Sequence, residues 1–269
     1  MKQKITSIIL TIHDQQDIIQ RVVKSIIDNK SEYVKELIVI FDACKDKSEQ
    51  YTKEILDKVK DINVIYNYAD DLYELKCNNI GLKQSTCNYS LIIQDDMIIQ
   101  EKDFDKRMLK PFIFPDTFGI TSRIAHNYIN VSDKNNPIAW TDPVGFDPYN
   151  ANILPTRREM FTIRDVSNRG PLMLDNEKTE KLNYLDEIFW PLNLDEHDIC
   201  LRAWINYGWV SGSFWIKWTS KEEWGGTRKT QEKYLWFEEC GRKNKQTLFE
   251  RHQEYIVSGH KHNESRFIL

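Results

Sequence analysis

The sequence lacks the features that mark several protein classes. No apolar run approaches the ~18 residues of a membrane-spanning helix. The stretch after Lys2 and Lys4 is too short for a signal-peptide core and carries no cleavage site. No Lys/Arg block stands out and the net charge is -4, so nothing suggests a nucleic-acid partner. The cysteines, Cys44, Cys77, Cys87, Cys200 and Cys240, are odd in number and scattered, with no CxxC. That pattern favours free thiols in a reducing compartment. No internal repeat is present. Nor does a glycine-rich, basic loop follow the first apolar run, where His13-Asp14-Gln15-Gln16 stands instead. These absences point to a cytoplasmic location, with peripheral attachment to a membrane left open, and they leave the oligomeric state open.

What remains is an ordinary globular balance, 41% hydrophobic and 29% charged over 269 residues. That length suits one α/β domain with an extension, or two small domains. The stretch Tyr89–Ile99, YSLIIQDDMII, is the most informative. An unbroken Ile-rich run reads as a strand buried on both faces. It runs into Asp95 and Asp96, and unpaired carboxylates are costly in a core, so they face water, a cation or a ligand. In open α/β sheets the ligand crevice lies at the C-terminal strand ends. A strand simply ending in solvent is the competing explanation.

The rest of the first half alternates. Ser7–Ile12, Leu37–Phe41 and Asn63–Tyr66 read as strands. Ile18, Ile19, Val22, Val23, Ile26 and Ile27 form one helical stripe, with Asp14 and Asp17 as a candidate capping pair. Helices also fit around Ile55–Val59 and over Asp70–Gln84. This rhythm indicates a parallel sheet with right-handed crossovers. After Asp96 it breaks. Asp103–Lys110 reads as a short helix stopped by Pro111, Phe118–Ala125 as a strand, and His126–Thr156 as a proline-containing loop. Met160–Val166 reads as a strand, Asp175–Leu185 as a helix, and Leu194–Tyr207 as a helix closed by Gly208. Trp209–Trp218 alternates like a strand, and Thr230–Ser258 is patterned as a helix.

Several strings together resemble family 2 glycosyltransferases with a GT-A fold. They are S-I-I-L-T-I-H-D at the first strand, L-I-V-I-F-D-A-C-K-D-K-S at the second, C-N-N-I-G-L, Q-D-D-M, R-G-P-L-M followed by L-D-E-I-F, and L-D-E-H-D-I-C-L-R-A. The match covers about residues 4 to 220. It implies a Rossmann-like α/β mixed sheet flanked by helices, with a nucleotide-binding half over 1–100, an acceptor-binding half over 101–220 and a helical extension over 221–269. It also implies an inverting, metal-dependent transferase that uses a nucleotide-diphospho-sugar, UDP by resemblance. The acceptor would be a growing glycan or glycoconjugate, as in polysaccharide biosynthesis. The competing classes are a catalytically inactive sugar-nucleotide or glycan-binding module and a nucleotidyltransferase.

Within this resemblance Asp96 is the expected ligand of Mn²⁺ or Mg²⁺. Asp95 would meet the ribose or the metal, if the strand bends as it ends, because neighbouring strand residues face opposite ways. Gln94 stands where the family has its first acid. Thr11 and Asp42 end the first two strands and would face the base, with a loop cap as the alternative for Asp42. Asn79 lies in the segment matching A-R-N-x-G. Lys76 and Lys217 are candidate diphosphate contacts, with simple solvation as the alternative for Lys76. Asp195 and Glu196 open a helix, where Asp195 and Asp198 could equally be caps. One of the first two would deprotonate the acceptor hydroxyl, with Glu196 favoured on reach. Arg202 would brace this segment. Trp140 and Phe146 would shape the acceptor site, Trp224-Gly225-Gly226 a loop over the sugar, and His260 and His262 a flexible, solvated tail.

Overall fold

The computed structural model describes residues 5–133, 136–150, 152–153, 155–191, 193–225 and 231–268, with the backbone alone described for Glu222, Gln231, Glu232 and Tyr234. The first half follows the expected alternation: β1 (Thr6–Ile12), α1 (Ile19–Asn29), β2 (Val34–Asp42), α2 (Ser48–Leu56), β3 (Asn63–Ala69), α3 (Tyr73–Gln84) and β4 (Tyr89–Gln94). Then come β5 (Ile98–Ile99), α4 (Phe104–Met108), β6 (Thr117–Thr121), β7 (Ile124–Asn130), β8 (Ile138–Gly145), β9 (Met160–Arg164), β10 (Val166–Ser167) and β11 (Leu172–Asp175). The chain finishes with α5 (Asn176–Lys181), α6 (Asp195–Tyr207), β12 (Val210–Ser213), β13 (Trp218–Thr219), α7 (Gln231–Val257) and β14 (Ser265–Phe267).

Nine strands form one mixed sheet in the order β14-β9-β12-β6-β11-β4-β1-β2-β3. β3, β2, β1 and β4 run parallel, and β11 lies antiparallel between β4 and β6. Alternation along β1 divides the core. Ile8, Leu10 and Ile12 pack with Val22, Val23 and Ile26 of α1, whereas Ile9 packs on the opposite face with Leu75 and Leu82 of α3. Each such fully buried side chain contributes about 1.5–3 kcal/mol of transfer free energy. No helix among the described residues is long and apolar enough to cross a membrane.

The second half departs from expectation in several places. The Phe118–Ala125 strand is two strands, β6 and β7, in different sheets. The expected loop over 126–156 contains a hairpin, because β7 pairs antiparallel with β8. Prolines had argued against a strand there. β8 is an edge strand, and Asp142 and Pro143 fall at a register shift opposite His126, where no ladder bond is required of Pro143. Trp209–Trp218 is likewise broken into β12 and β13, which belong to different sheets. Asp14 and Asp17 do not cap α1. Its N-cap is Ile18, and the Asp14 carboxylate accepts the Lys45 N–H instead, 2.7 Å away.

The tail is not a loose appendage either. β14 adds to the large sheet beside β9, and His262 is buried with its ring edge-on to Trp204 at 4.4 Å. α7 is tied to α6 through the buried Asp198. That carboxylate accepts from Arg202 Nε (2.7 Å), Arg251 Nη1 (3.0 Å) and His252 Nε2 (2.9 Å). Asp198 is therefore an ion-pair centre and not a helix cap. Arg202 braces as expected, donating to the carbonyls of Leu182 and Tyr184.

Candidate active site

β4 ends at Gln94, and the Met97 N–H turns back to the Gln94 carbonyl at 3.2 Å. Strand alternation stops at this turn, so Asp95 and Asp96 can both face outward from the strand end. Asp95 Oδ2 accepts the His13 N–H at 3.0 Å, which ties the ends of β1 and β4 together. Burial, and then the charge of Asp96, push the Asp95 carboxyl up to about 8. Asp96 is also raised, by burial and then by Glu74, against the opposing pull of Ser220 and Arg123. Its Oδ2 accepts from Ser220 Oγ at 3.2 Å.

The 220–225 segment closes over this turn. Gln15 Nε2 donates to the Trp224 carbonyl at 2.7 Å and also reaches Asp95. A Cβ on Gly225 would stand 2.8 Å from Asp96 Oδ2, so a glycine lets the backbone lie against the carboxylate. The expected loop thus meets the acidic pair through Trp224 and Gly225, while Gly226 lies outside the described residues.

A second acidic pair opens α6. Asp195 is fully buried and Glu196 nearly so. Arg169, itself buried, donates Nη2 to Asp195 Oδ2 and to Glu196 Oε2, the latter at 3.0 Å. Its Nη1 pairs with Glu74 Oε2 at 3.1 Å. Glu74 in turn accepts from Gln94 Nε2 at 3.1 Å. Gln94, Glu74, Arg169 and Glu196 are thereby joined beside the C-terminal end of β4, and the Glu74 charge is felt at Asp96. Burial and the neighbouring Glu196 raise Asp195 despite Arg169, whereas for Glu196 burial is opposed by Arg169, His197 and hydrogen bonds, which together lower it. The two acids are thus shifted in opposite directions, the kind of separation that acid and base roles call for.

The remaining candidates fall into two groups. The Thr11 hydroxyl donates to Asn78 Oδ1 at 3.3 Å, and Asn78 is one turn from Glu74 on the same face of α3. The side chains of the others are engaged as follows. Asp42 is buried and accepts the Leu72 and Tyr73 N–H groups, each at 2.8 Å, so it shows the loop-cap geometry at the start of α3. Asn79 is turned to Leu185, accepting its N–H and donating to its carbonyl. Lys76 lies over the Trp190 ring at 5.3 Å. It is two residues from Glu74, and positions i and i+2 do not share a helix face. Lys217 is exposed, alternating with the buried Trp218, and its N–H meets Glu101.

Sequence reasoning assigned no role to Glu74, Arg169, Arg123 or Ser220. Arg169 sits inside the R-G-P-L-M string, so the motif pointed to it. Gly170 beside it has φ +79°, and a Cβ there would come 2.2 Å from Gln94 Oε1. Glu74 and Ser220 carried no signal, because each becomes relevant only when α3 and the 220–225 segment pack against β4.

The donor set suits a divalent cation bound together with substrate. Among the described residues no three His, Cys, Asp or Glu side chains form a metal-binding group by themselves. Asp96 is nevertheless a carboxylate raised by burial, with Glu74 adding a like charge. Mg²⁺ and similar hard ions are commonly held by one or two carboxylates plus substrate phosphates.

Four parallel strands feeding an acidic turn, with an antiparallel strand leading toward a second acidic pair, is the arrangement of GT-A glycosyltransferases, enzymes that act on nucleotide sugars. The chain itself belongs to glycosyl transferase family 2, which matches residues 7–171. No curated protein matches it. Among solved structures it is similar to GalNAc-T7 with UDP, GalNAc and Mn²⁺, at 14% identity and a TM-score of 0.57 over 80% of this chain and 45% of that one. It is similar to the mannosyltransferase PcManGT from Pyrobaculum calidifontis with GDP-Man and Mn²⁺, at 12% and 0.57 over 77% and 54%. It is also similar to S. aureus TarS 1-349, at 13% and 0.51 over 79% and 58%. Identities this low establish the fold. The chain spans about half the length of these solved chains.

Proposed function

We propose that the protein transfers a sugar from a nucleotide-diphospho-sugar, a UDP-sugar, to a hydroxyl of a glycan or glycoconjugate, with inversion and with the aid of Mn²⁺ or Mg²⁺. The observation that supports this reading is the buried Arg169, which joins Glu196 and Asp195 to Glu74, itself bonded to Gln94 at the end of the strand that runs into Asp95 and Asp96. The ligands of GalNAc-T7 and PcManGT support it.

Glu196 takes the acceptor proton as the hydroxyl oxygen bonds to the anomeric carbon and the bond from that carbon to the diphosphate oxygen breaks. Asp195, fully buried and with its carboxyl pushed up by burial, holds Arg169 in place. A positioned base is worth about 10²–10⁴ in rate. Asp96, joined by Asp95, would hold the cation, which would supply charge neutralisation for the departing diphosphate. Thr11 and Asn78 line the nucleotide end. Arg123, whose charge reaches Asp96, takes the place first given to Lys76 and Lys217.

The test is release of nucleotide from a panel of UDP- and GDP-sugars with Mn²⁺, in the presence of mixed oligosaccharide acceptors. Wild type turns over at least one donor, Asp96→Ala loses metal-dependent release, and Glu196→Gln falls by about 10²–10⁴ with donor affinity kept. Anomeric NMR of the product reports inversion. Donor binding without turnover by wild type would replace this reading with a sugar-nucleotide-binding module.

A further inference from the structure

A cavity of about 240 Å³ lies where the β7–β8 hairpin meets α7, lined by Tyr128, Asn136, Ile138, Ala139, Trp140 and Lys245. It is smaller than the ~300–1,000 Å³ usual for drug-sized ligands, which suits one monosaccharide unit. One face of the Trp140 indole is stacked on His126, with centroids 4.0 Å apart and planes 19° apart. The residue is still 48% exposed and lines the cavity, so the indole is not wholly covered by His126. A flat, rigid aromatic face is a good surface for the C–H side of a pyranose.

Two polar groups of the cavity lining, on Asn136 and Lys245, are unspent. Asn136 Oδ1 is buried without a hydrogen-bond partner, and so is Nε2 of His126 beneath Trp140. No carboxylate among the described residues pairs with the half-buried Lys245 ammonium. Buried polar atoms without partners are uncommon and call for a ligand or water. The cavity also adjoins the base. Tyr128 OH meets His197 Nδ1 at 2.7 Å, His197 is the residue after Glu196, and the Glu196 charge is felt at both Tyr128 and His126.

We propose that this cavity is an acceptor subsite for a saccharide unit bearing an anionic substituent, a carboxylate or a phosphate. The ring stacks on Trp140, a ring hydroxyl donates to Asn136 Oδ1, and the anion pairs with Lys245. The inference rests on the transferase reading and narrows its acceptor class. It also gives α7, which lies outside the family-matched residues 7–171, a part in choosing the substrate.

Saturation-transfer NMR on the intact chain, with D-glucuronic acid, glucose 6-phosphate and glucose as probes, tests it. Binding of UDP with Mn²⁺ is measured in parallel as a check on the donor site. One or both anionic sugars bind at least fivefold more tightly than glucose, and which of them does so identifies the anion. Lys245→Gln removes that preference and leaves UDP binding unchanged, while Trp140→Ala weakens all three sugars. If UDP binds but glucose matches both anionic sugars, if none of the three binds, or if Lys245→Gln keeps the preference, the inference is overturned and the donor-site reading stands. Failure of wild type to bind UDP with Mn²⁺ strikes the transferase reading instead, and an anionic preference on its own then leaves only a saccharide-binding pocket.

Discussion

Replacing Arg169 with methionine removes the one cation that three acids share while keeping most of the side-chain volume. Its side chain is 6% exposed, and it pairs with Glu74, Asp195 and Glu196. Breaking a buried ion pair from one side costs about 3–5 kcal/mol, because the partner charges stay buried without compensation. The loss depends on pH. In wild type the folded Glu196 pKa lies below its unfolded value, so its contribution is present above the unfolded value and is lost as pH falls through the folded one. Without the guanidinium, burial and mutual repulsion raise the acids, and the variant weakens as pH rises through that raised range. Urea unfolding followed by circular dichroism should therefore show a loss of about 3–5 kcal/mol at pH 8 and less than about half of that at pH 5. A loss below about 1 kcal/mol at pH 8, or one equal at both pH values, refutes the view that Arg169 neutralises the cluster. Glu74→Gln in the Arg169→Met background should recover part of the stability, since one charge fewer is stranded.

Two further perturbations probe how the site is held. Gly170 and Gly208 both have left-handed backbones, at φ +79° and +67°, but an added Cβ meets Gln94 at the first and open space at the second. Gly208→Ala should cost about 1–2 kcal/mol by thermal melting, and Gly170→Ala should cost more and also weaken donor binding; equal effects would mean that the Gln94 contact is slack. Asp198→Ala should cost about 3–5 kcal/mol at pH 7 and raise amide exchange in α7, because the carboxylate joins α6 to Arg251 and His252. Asp198 is held below the usual carboxylate range, its three partners outweighing burial. Its contribution is thus present above the unfolded pKa and is lost as pH falls through the lower folded one, so the gap between wild type and variant should close below about pH 4.

The parallel half of the fold was readable because its strands are short, apolar and spaced by helical stripes, and Asp95 and Asp96 stood out at the end of one of them. The antiparallel half was harder. β8 carries Pro143, β11 is four residues long, and β9 and β10 run together in sequence yet belong to different sheets. A local pattern cannot report which sheet a short strand joins. The same limit applied to the site. Residues at strand ends and helix starts were found, but Glu74 acquires its role only where α3 packs on β4, and Arg169 only where the turn between β10 and β11 delivers it to α6. Lys76, Asn79 and Asp42 were expected at the donor from their motif positions; the side chains turn respectively to Trp190, Leu185 and the start of α3.

The most direct test of the metal site is anomalous scattering from crystals of the intact chain grown with UDP and Mn²⁺. A manganese peak bonded to the Asp96 carboxylate, with the diphosphate as its other ligand and Arg169 still joining Glu74 to Glu196, is the expected result. A manganese ion bound elsewhere, with Asp96 still hydrogen-bonded to Ser220 and no diphosphate beside it, would contradict it.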